Sequence, residues 1–361
     1  MSGTSADAID AALVDFSQPL PQLLNSCSLP LPESLRKEIF ALFTPGENEI
    51  DRMGALDRHL GHLFAEAALA VLSGTPYGPA DITAIGSHGQ TIRHRPRETG
   101  GSAFTVQIGD PNTIAQLTGI TTVADFRRRD IASGGQGAPL APAFHQAVFA
   151  KAGIARGVLN LGGIANITVL GADGHCSGFD TGPANGLMDY WIQRCRQQTY
   201  DRDGQWAASG QPSPLLLAVL QQHPFFALPP PKSTGKEEFT PAWLEACVAQ
   251  FSASDADVQA TLLEFTATTV AHAISNYCLP LEEVYLCGGG ALNGQLRRRL
   301  AALLPGSQLR TTAELGVEVQ WVEAMAFAWL AMRTLNGLSG NLPSVTGAGG
   351  LEVLGGIFRG K

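Results

Sequence analysis

The 361-residue chain carries only six cysteines, Cys27, Cys176, Cys195, Cys247, Cys278 and Cys287, with no CxxC pair among them. That scatter excludes a cysteine metal site and fits reduced thiols. No stretch of roughly 18 apolar residues appears, so no membrane span is expected. There is no basic segment followed by an apolar core at the N-terminus, so no signal peptide is expected. Nor is there a basic excess: the net charge is −8, which argues against general nucleic-acid or anionic-membrane binding. The GxxxxGK[ST] and GxGxxG signatures are both missing, which excludes a P-loop and weakens a dinucleotide reading. Short-period repeats and low-complexity linkers are absent as well. These absences leave a soluble, cytoplasmic protein as the expectation.

What is present is 45% hydrophobic residues with 41 glycines and 22 prolines, the composition of a loop-rich α/β protein. The length suggests two domains of about 150 residues each. AIDAALVD at 8–15 alternates or runs apolar like a strand; 31–43 and 51–72 read as helices, the latter with apolar residues at helical spacing. FTVQIGDP and ITTVADFRRRD read as strands, and NTIAQLTG as a helix between them. The second half opens with RGVLNLGGIANITVLG, two strands around a glycine turn. Helices follow at about 183–197, 212–222, 241–251 and 256–277. EEVYLCGGGALNGQLRRRL gives strand, turn and helix, and 322–336 a last long helix.

Three small-residue turns stand out: Ser2–Asp10, Gly162–Asn166 and Cys287–Asn293. Only glycine or small residues let backbone N–H groups approach phosphate closely. Each turn taken singly is more often just a turn. Asp7 and Asp10 suit a Mg²⁺ ion, directly or through water. STGK at 233–236 lacks the upstream glycine spacing of a Walker motif. DRDGQWAASG lacks the glycine position and final acid of a calcium loop and reads as a turn. His88 and His94 have no third ligand at metal spacing.

Three such turns in this order resemble the sugar kinase, Hsp70 and actin superfamily. MSGTSADAID, IGSHGQTIRH, TVQIGDP, VADFRRRDIASGGQGAPLAPAFHQ, LNLGGIANIT, GFDTGPANGLMD, DRDGQWAASG, PKSTGKEEF, LCGGGALN and VTGA, in order along the chain, are together similar to the anhydro-N-acetylmuramic acid kinase family. The resemblance implies an α/β fold of two duplicated actin-like (RNase H-like) domains, 1–140 and 141–361, around a nucleotide and substrate cleft, with helix EAMAFAWLAMR at the hinge. It leaves open whether that last helix returns to the first domain.

The implied activity is an ATP- and Mg²⁺-dependent kinase of peptidoglycan recycling. It opens 1,6-anhydro-N-acetylmuramic acid with water and phosphorylates O6, giving N-acetylmuramic acid 6-phosphate and ADP. Implied ATP contacts are Gly3, Thr4, Ser5, Ala6, Asp7, Ala8, Ile9 and Asp10, then Gly162, Gly163 and Asn166, then Gly288, Gly289 and Gly290. Asp180 is the candidate base for water, its other reading being the N-cap of the helix that follows. Glu323 is the second acid, its other reading an acid favoured by the helix dipole. Arg129 is matched to the substrate's lactyl carboxylate or the developing charge. Arg127 and Arg128 are expected to point elsewhere, one pairing with Asp125 or Asp130, because strand residues alternate faces. His88, Gln90, Gln107 and Asp110 are expected on sugar hydroxyls. A homodimer is a family expectation.

Two departures from the family pattern stand at the N-terminus. Ala8 replaces a glycine of the first turn, which matters only if that position needs positive φ. The family also has a short apolar strand leading into MSGTS. The expectation is therefore that Met1 is a mis-assigned start, with roughly 5–15 further residues upstream, and that the first domain lacks its first strand. A chain without them is expected to bind ATP poorly and aggregate through the open strand edge.

Overall fold

The computed structural model describes residues 1–361 except 4–5, 97–101 and 236–237. The chain divides into two compact units, Met1–Val148 with Glu323–Lys361, and Phe149–Val322. The α/β class is as expected, and no helix among the described residues is long and apolar enough to cross a membrane.

The first unit runs β1 Ala8–Asp15, β2 Gln22–Pro30, α1 Glu33–Ala41, α2 Glu49–Ala70, β3 Ile85–Ser87, β4 Gln90–Arg95, β5 Phe104–Ile108, α3 Pro111–Thr118, β6 Thr122–Ala124, α4 Arg128–Ala132 and α5 Ala141–Phe149. β1 and β2 form an antiparallel pair, β4 and β5 another. β3 lies parallel to β6 at one edge of a three-stranded sheet. Apolar residues of α2 at helical spacing, Leu56, Leu60, Phe64 and Ala67, pack on Ile9, Ile92, Ile108 and Ile114. Burying side chains of this size contributes about 1.5–3 kcal/mol each.

β1 and β3 are not paired with each other. Between them lies a cavity of about 660 Å³. Every residue from Ile9 to Ser17 lines it, and every residue from Asp81 to Ser87. Alternate side chains of a strand face opposite ways, so an unbroken run of lining residues means that strand edges, not faces, border the cavity. Ala67 and Ala68 of α2 and Val71 just after it close one side, with Ala324, Ala328 and Ala331 of the last long helix on another.

The second unit runs β7 Arg156–Leu161, β8 Ile164–Leu170, β9 Cys176–Pro183, α6 Asn185–Arg196, α7 Pro214–Gln221, α8 Pro241–Val248, α9 Asp255–Tyr277, β10 Glu283–Cys287, α10 Gly294–Leu303 and β11 Gln308–Thr311. Its sheet is continuous, in the order β11-β10-β7-β8-β9. α9 is buried around much of its circumference by Val258, Leu262, Phe265, Ala267 and Val270. Its start is set by Ser254, whose hydroxyl accepts from the Asp257 amide, satisfying one of the unpaired first-turn donors. The chain then returns to the first unit with α11 Val322–Leu335, α12 Pro343–Thr346 and β12 Gly356–Phe358, the last antiparallel to β6.

One sequence expectation changes here. FRRRD does not continue a strand: β6 stops at Ala124, Asp125 takes φ +62°, and a helical turn begins at Arg128. Buried Asp130 fixes this turn, accepting from the Gly137 amide at 2.7 Å, Thr346 Oγ1 at 2.7 Å and Asn341 Nδ2 at 2.8 Å. The alternation argument for the three arginines therefore does not apply.

Candidate functional site

In the second unit the hairpin β7–β8 turns at Gly162–Gly163. The carbonyl of Gly162 accepts from the Asn185 amide at 2.9 Å, and that of Gly163 from Ala184 at 3.0 Å. The turn is thus fastened to the start of α6. Asn185 Nδ2 also donates to Leu161 O at 2.9 Å. The third glycine turn lies against the same place. A Cβ on Gly290 would stand 2.7 Å from Leu161 Cβ and 2.9 Å from Asn185 Oδ1, and one on Gly288, at φ +78°, 2.5 Å from Asn160 Oδ1. Glycine is required there sterically. Two turns found separately in the sequence are one surface in the fold, and Gly289 and Gly290 open the 3₁₀ turn that leads to α10.

Strand register adds a row the sequence did not reveal. Cys287 on β10 pairs with Asn160 on β7, Asn160 with Asn166 on β8, and Asn166 with Asp180 on β9. Directly opposed residues share a face, so two amides and a carboxylate cross the sheet in line beside the glycine turns. Asp180 lies inside β9 rather than at the N-cap of α6, which begins at Asn185 with Ala184 before it. The N-cap alternative for Asp180 is thereby excluded. Its carboxylate accepts the Thr234 amide at 2.9 Å, and its own amide donates to Lys232 O at 3.0 Å.

Asp201 accepts the Trp206 and Ala207 amides, each at 2.9 Å, which makes DRDGQWAASG the expected turn.

In the first unit, Ser2 is buried and its hydroxyl has no partner among the described residues. Thr4 and Ser5 lie outside the described residues. Ala6 takes φ +49°, while Ala8 is simply the first residue of β1. Alanine in place of the family's glycine at 8 thus carries no backbone strain. Asp7 pairs with Arg36 at 2.5 Å, and Asp10 accepts from Ser28 Oγ at 2.7 Å. Among the described residues no group of three or more His, Cys, Asp or Glu gathers to hold a metal ion.

Glu323 sits in the first turn of α11. Its carboxylate reaches solvent although protein surrounds it closely. That crowding raises its pKa, opposed by Arg127 and the Met1 amine. The amine, donating to Asp10 O at 2.7 Å, is itself lowered to about 6 by burial, against the pull of Asp10 and Glu323. Arg127 is the missed residue. It donates through Nε at 3.0 Å to His88 Nε2 and through Nη1 at 2.8 Å to Gly137 O. His88 Nδ1 lies 2.9 Å from Gly89 O. A ring that accepts from Arg127 and donates to a carbonyl is the neutral Nδ1–H tautomer. Burial first, then Arg127, holds its pKa well below the usual histidine range.

The remaining expected sugar contacts divide. Both His88 nitrogens are engaged as described. Asp110 caps α3, accepting the Asn112 and Thr113 amides at 3.0 and 3.1 Å; burial raises its pKa, and its hydrogen bonds from Thr113 and Asn112 outweigh that. Gln90 and Gln107 each keep a buried side-chain carbonyl oxygen without a partner, a cost unless something supplies a donor. Arg129 is exposed and donates to Glu352 at 3.3 Å. Arg128 pairs with Asp125 at 3.4 Å, as expected.

The family model described as anhydro-N-acetylmuramic acid kinase matches residues 1–360. A protein of Shewanella loihica named anhydro-N-acetylmuramic acid kinase is 54% identical over 366 residues, covering 100% of this chain and 98% of that one. One of Saccharophagus degradans with the same name is 53% identical over 361 residues, covering 99% and 97%. A solved PilM–PilN type IV pilus biogenesis complex is similar at 13% identity and a TM-score of 0.41, over 90% of this chain and 96% of that one.

Proposed function

Because this chain belongs to the anhydro-N-acetylmuramic acid kinase family, we propose that it opens 1,6-anhydro-N-acetylmuramic acid with water while transferring the γ-phosphoryl of ATP to O6. Asp180 takes a proton from water, and the water oxygen bonds to C1. The C1–O6 bond breaks, O6 bonds to the γ-phosphorus, and ADP leaves as N-acetylmuramic acid 6-phosphate forms. Ring opening with water opposite the leaving oxygen follows the logic of inverting glycoside cleavage. The observation that carries this reading is the row ending in Asp180 beside two glycine turns, since a base for water has to work next to the phosphate-binding backbone.

The glycine turns Gly162–Gly163 and Gly288–Gly290 bring backbone N–H groups to ATP. Glu323 orients the sugar or assists ring opening, its pKa raised by the protein packed around it. Arg127, with donors committed to His88 and Gly137, sets the charge around Glu323. Arg129 would exchange its exposed bond to Glu352 for the lactyl carboxylate, and the unpartnered oxygens of Gln90 and Gln107 are left for sugar hydroxyls. Mg²⁺ travelling with ATP takes most of its ligands from phosphate and water. Asp10, oriented by Ser28, suits an additional contact through water better than Asp7, which Arg36 engages. The ion would neutralise charge on the β- and γ-phosphates. A cytoplasmic homodimer completes the proposal, and sedimentation velocity reads its oligomeric state.

The test is phosphorylated sugar formed from the anhydro sugar and ATP by the parent and by Asp180→Asn. The expected outcome is product from the parent and a loss of at least about 10³-fold in the variant, more than general base catalysis typically contributes at its lower end. Unchanged turnover in Asp180→Asn would remove Asp180 from the mechanism.

A further inference from the structure

Resting on Asp180 as the base, we propose that the segment Lys232–Thr234 is a strap that positions and acidifies the Asp180 carboxylate, with Thr234 as its positioning residue. Two hydrogen bonds join the strap's main chain to Asp180, one at its backbone and one at its carboxylate. The Asp180 amide donates to Lys232 O at 3.0 Å, and the Thr234 amide donates to Asp180 Oδ2 at 2.9 Å. The strap thus grips the residue by backbone and side chain together, in the manner of a strand added at the open edge of β9.

Anchors on both sides hold this grip. The chain enters through Pro229, Pro230 and Pro231, which donate no hydrogen bonds and have fixed φ. Lys232 does not reach for the carboxylate. Its ammonium lies 4.6 Å from the Phe225 ring centroid and 5.4 Å from that of Tyr277, and donates to Phe225 O at 3.4 Å. On the far side the Thr234 hydroxyl bonds the Glu238 carboxylate. The Thr234 amide is therefore aimed before substrate arrives.

An amide donated to a carboxylate favours its charged form and lowers its pKa. It also fixes which way the carboxylate turns, which matters when a base must meet one water. The strap therefore couples two properties of one residue, orientation and acidity, through a single N–H. Threonine at 234 matters for its backbone and for the Glu238 tie, so Thr234→Ala preserves the donor while loosening the anchor.

The decisive experiment replaces Thr234 in the full chain by its α-hydroxy analogue, which turns the amide into an ester and removes only the N–H. The acidic limb of kcat/KM against pH is expected to move up by about one pH unit, with kcat reduced about tenfold and the KM for ATP unchanged. Thr234→Ala, which keeps the N–H but loosens the Glu238 tie, is expected to move the limb less than the ester does. In the unmodified protein, the ¹⁵N-labelled Thr234 amide shift should titrate with the acidic limb and lose that titration in Asp180→Asn. That second measurement stands even where the ester protein does not fold. If Asp180→Asn is inactive but the ester limb coincides with the parent's, or the Thr234 amide does not titrate, the strap is overturned while the base stands. If Asp180→Asn keeps full turnover, the base reading fails instead.

Discussion

The two units hold the same kind of object, a small-residue turn leading into a strand, but frame it differently. In the second unit β7 has β8 on one side and β10 on the other, and the turn at Gly162–Gly163 is locked to α6. In the first unit β1 pairs with β2 alone, and a cavity of about 660 Å³ separates its other edge from β3. Among the described residues only Met1 begins a ladder there: its amine donates to Asp10 O at 2.7 Å and its carbonyl accepts from Asp10 N at 2.8 Å. Reciprocal bonds of this kind are one rung of an antiparallel pair. The comparison teaches that the two turns are backed by sheets that differ in continuity.

Acidification should expose the difference most. Burial lowers the pKa of three histidines in the first unit: His88 well below the usual value, His94 to about 4 and His145 to about 3. Below pH 6.5 the unfolded chain binds protons that the folded unit refuses, so stability falls as pH drops. Each histidine contributes about 1.4 kcal/mol per pH unit down to its folded pKa. Hydrogen exchange at pH 7 and pH 5 should show peptides of the first unit losing protection, and His145→Gln should reduce that loss. Equal protection at both pH values would contradict this.

A smaller effect tests the cavity. An apolar strand of about six residues fused to the Met1 amine should pair with the free edge of β1. A net gain of about 2 kcal/mol after chain entropy raises Tm by roughly 4–8 °C. A Gly-Ser fusion of equal length should not. Smaller again is the contrast between glycines. Gly290→Ala, whose methyl meets Leu161 and Asn185, should cost about 1–2 kcal/mol in denaturant unfolding. Gly3→Ala, with nothing within 4 Å, should cost almost nothing. Asp7→Ala likewise has a small effect, since it removes an exposed pair with Arg36 worth under about 1 kcal/mol.

Local pattern made much of this visible beforehand. The alternation of 8–15 is β1, the glycine hairpin is β7–β8, the periodic run 51–72 is α2 and the expected helix 256–277 is α9. β2 was not foreseen, because QLLNSCSLP is half-exposed and its strand character comes from pairing with β1. The helical turn at Arg128 depends on Asp130 meeting Asn341 and Thr346, over 200 positions away. Asn160 and Thr234 carry no local signature: one is placed by register, the other acts through its amide. His88 was visible as a polar group near the site, but its commitment to Arg127 exists only in the fold.

The central claim is that one active site opens the anhydro ring with water and phosphorylates the oxygen thereby freed. Mass spectrometry of the sugar formed with Mg²⁺-ATP in ¹⁸O water tests it most directly. The account predicts a product carrying one phosphate on O6 and one ¹⁸O at C1, absent with Asp180→Asn. A product without ¹⁸O at C1, or unphosphorylated sugar alone, would contradict it.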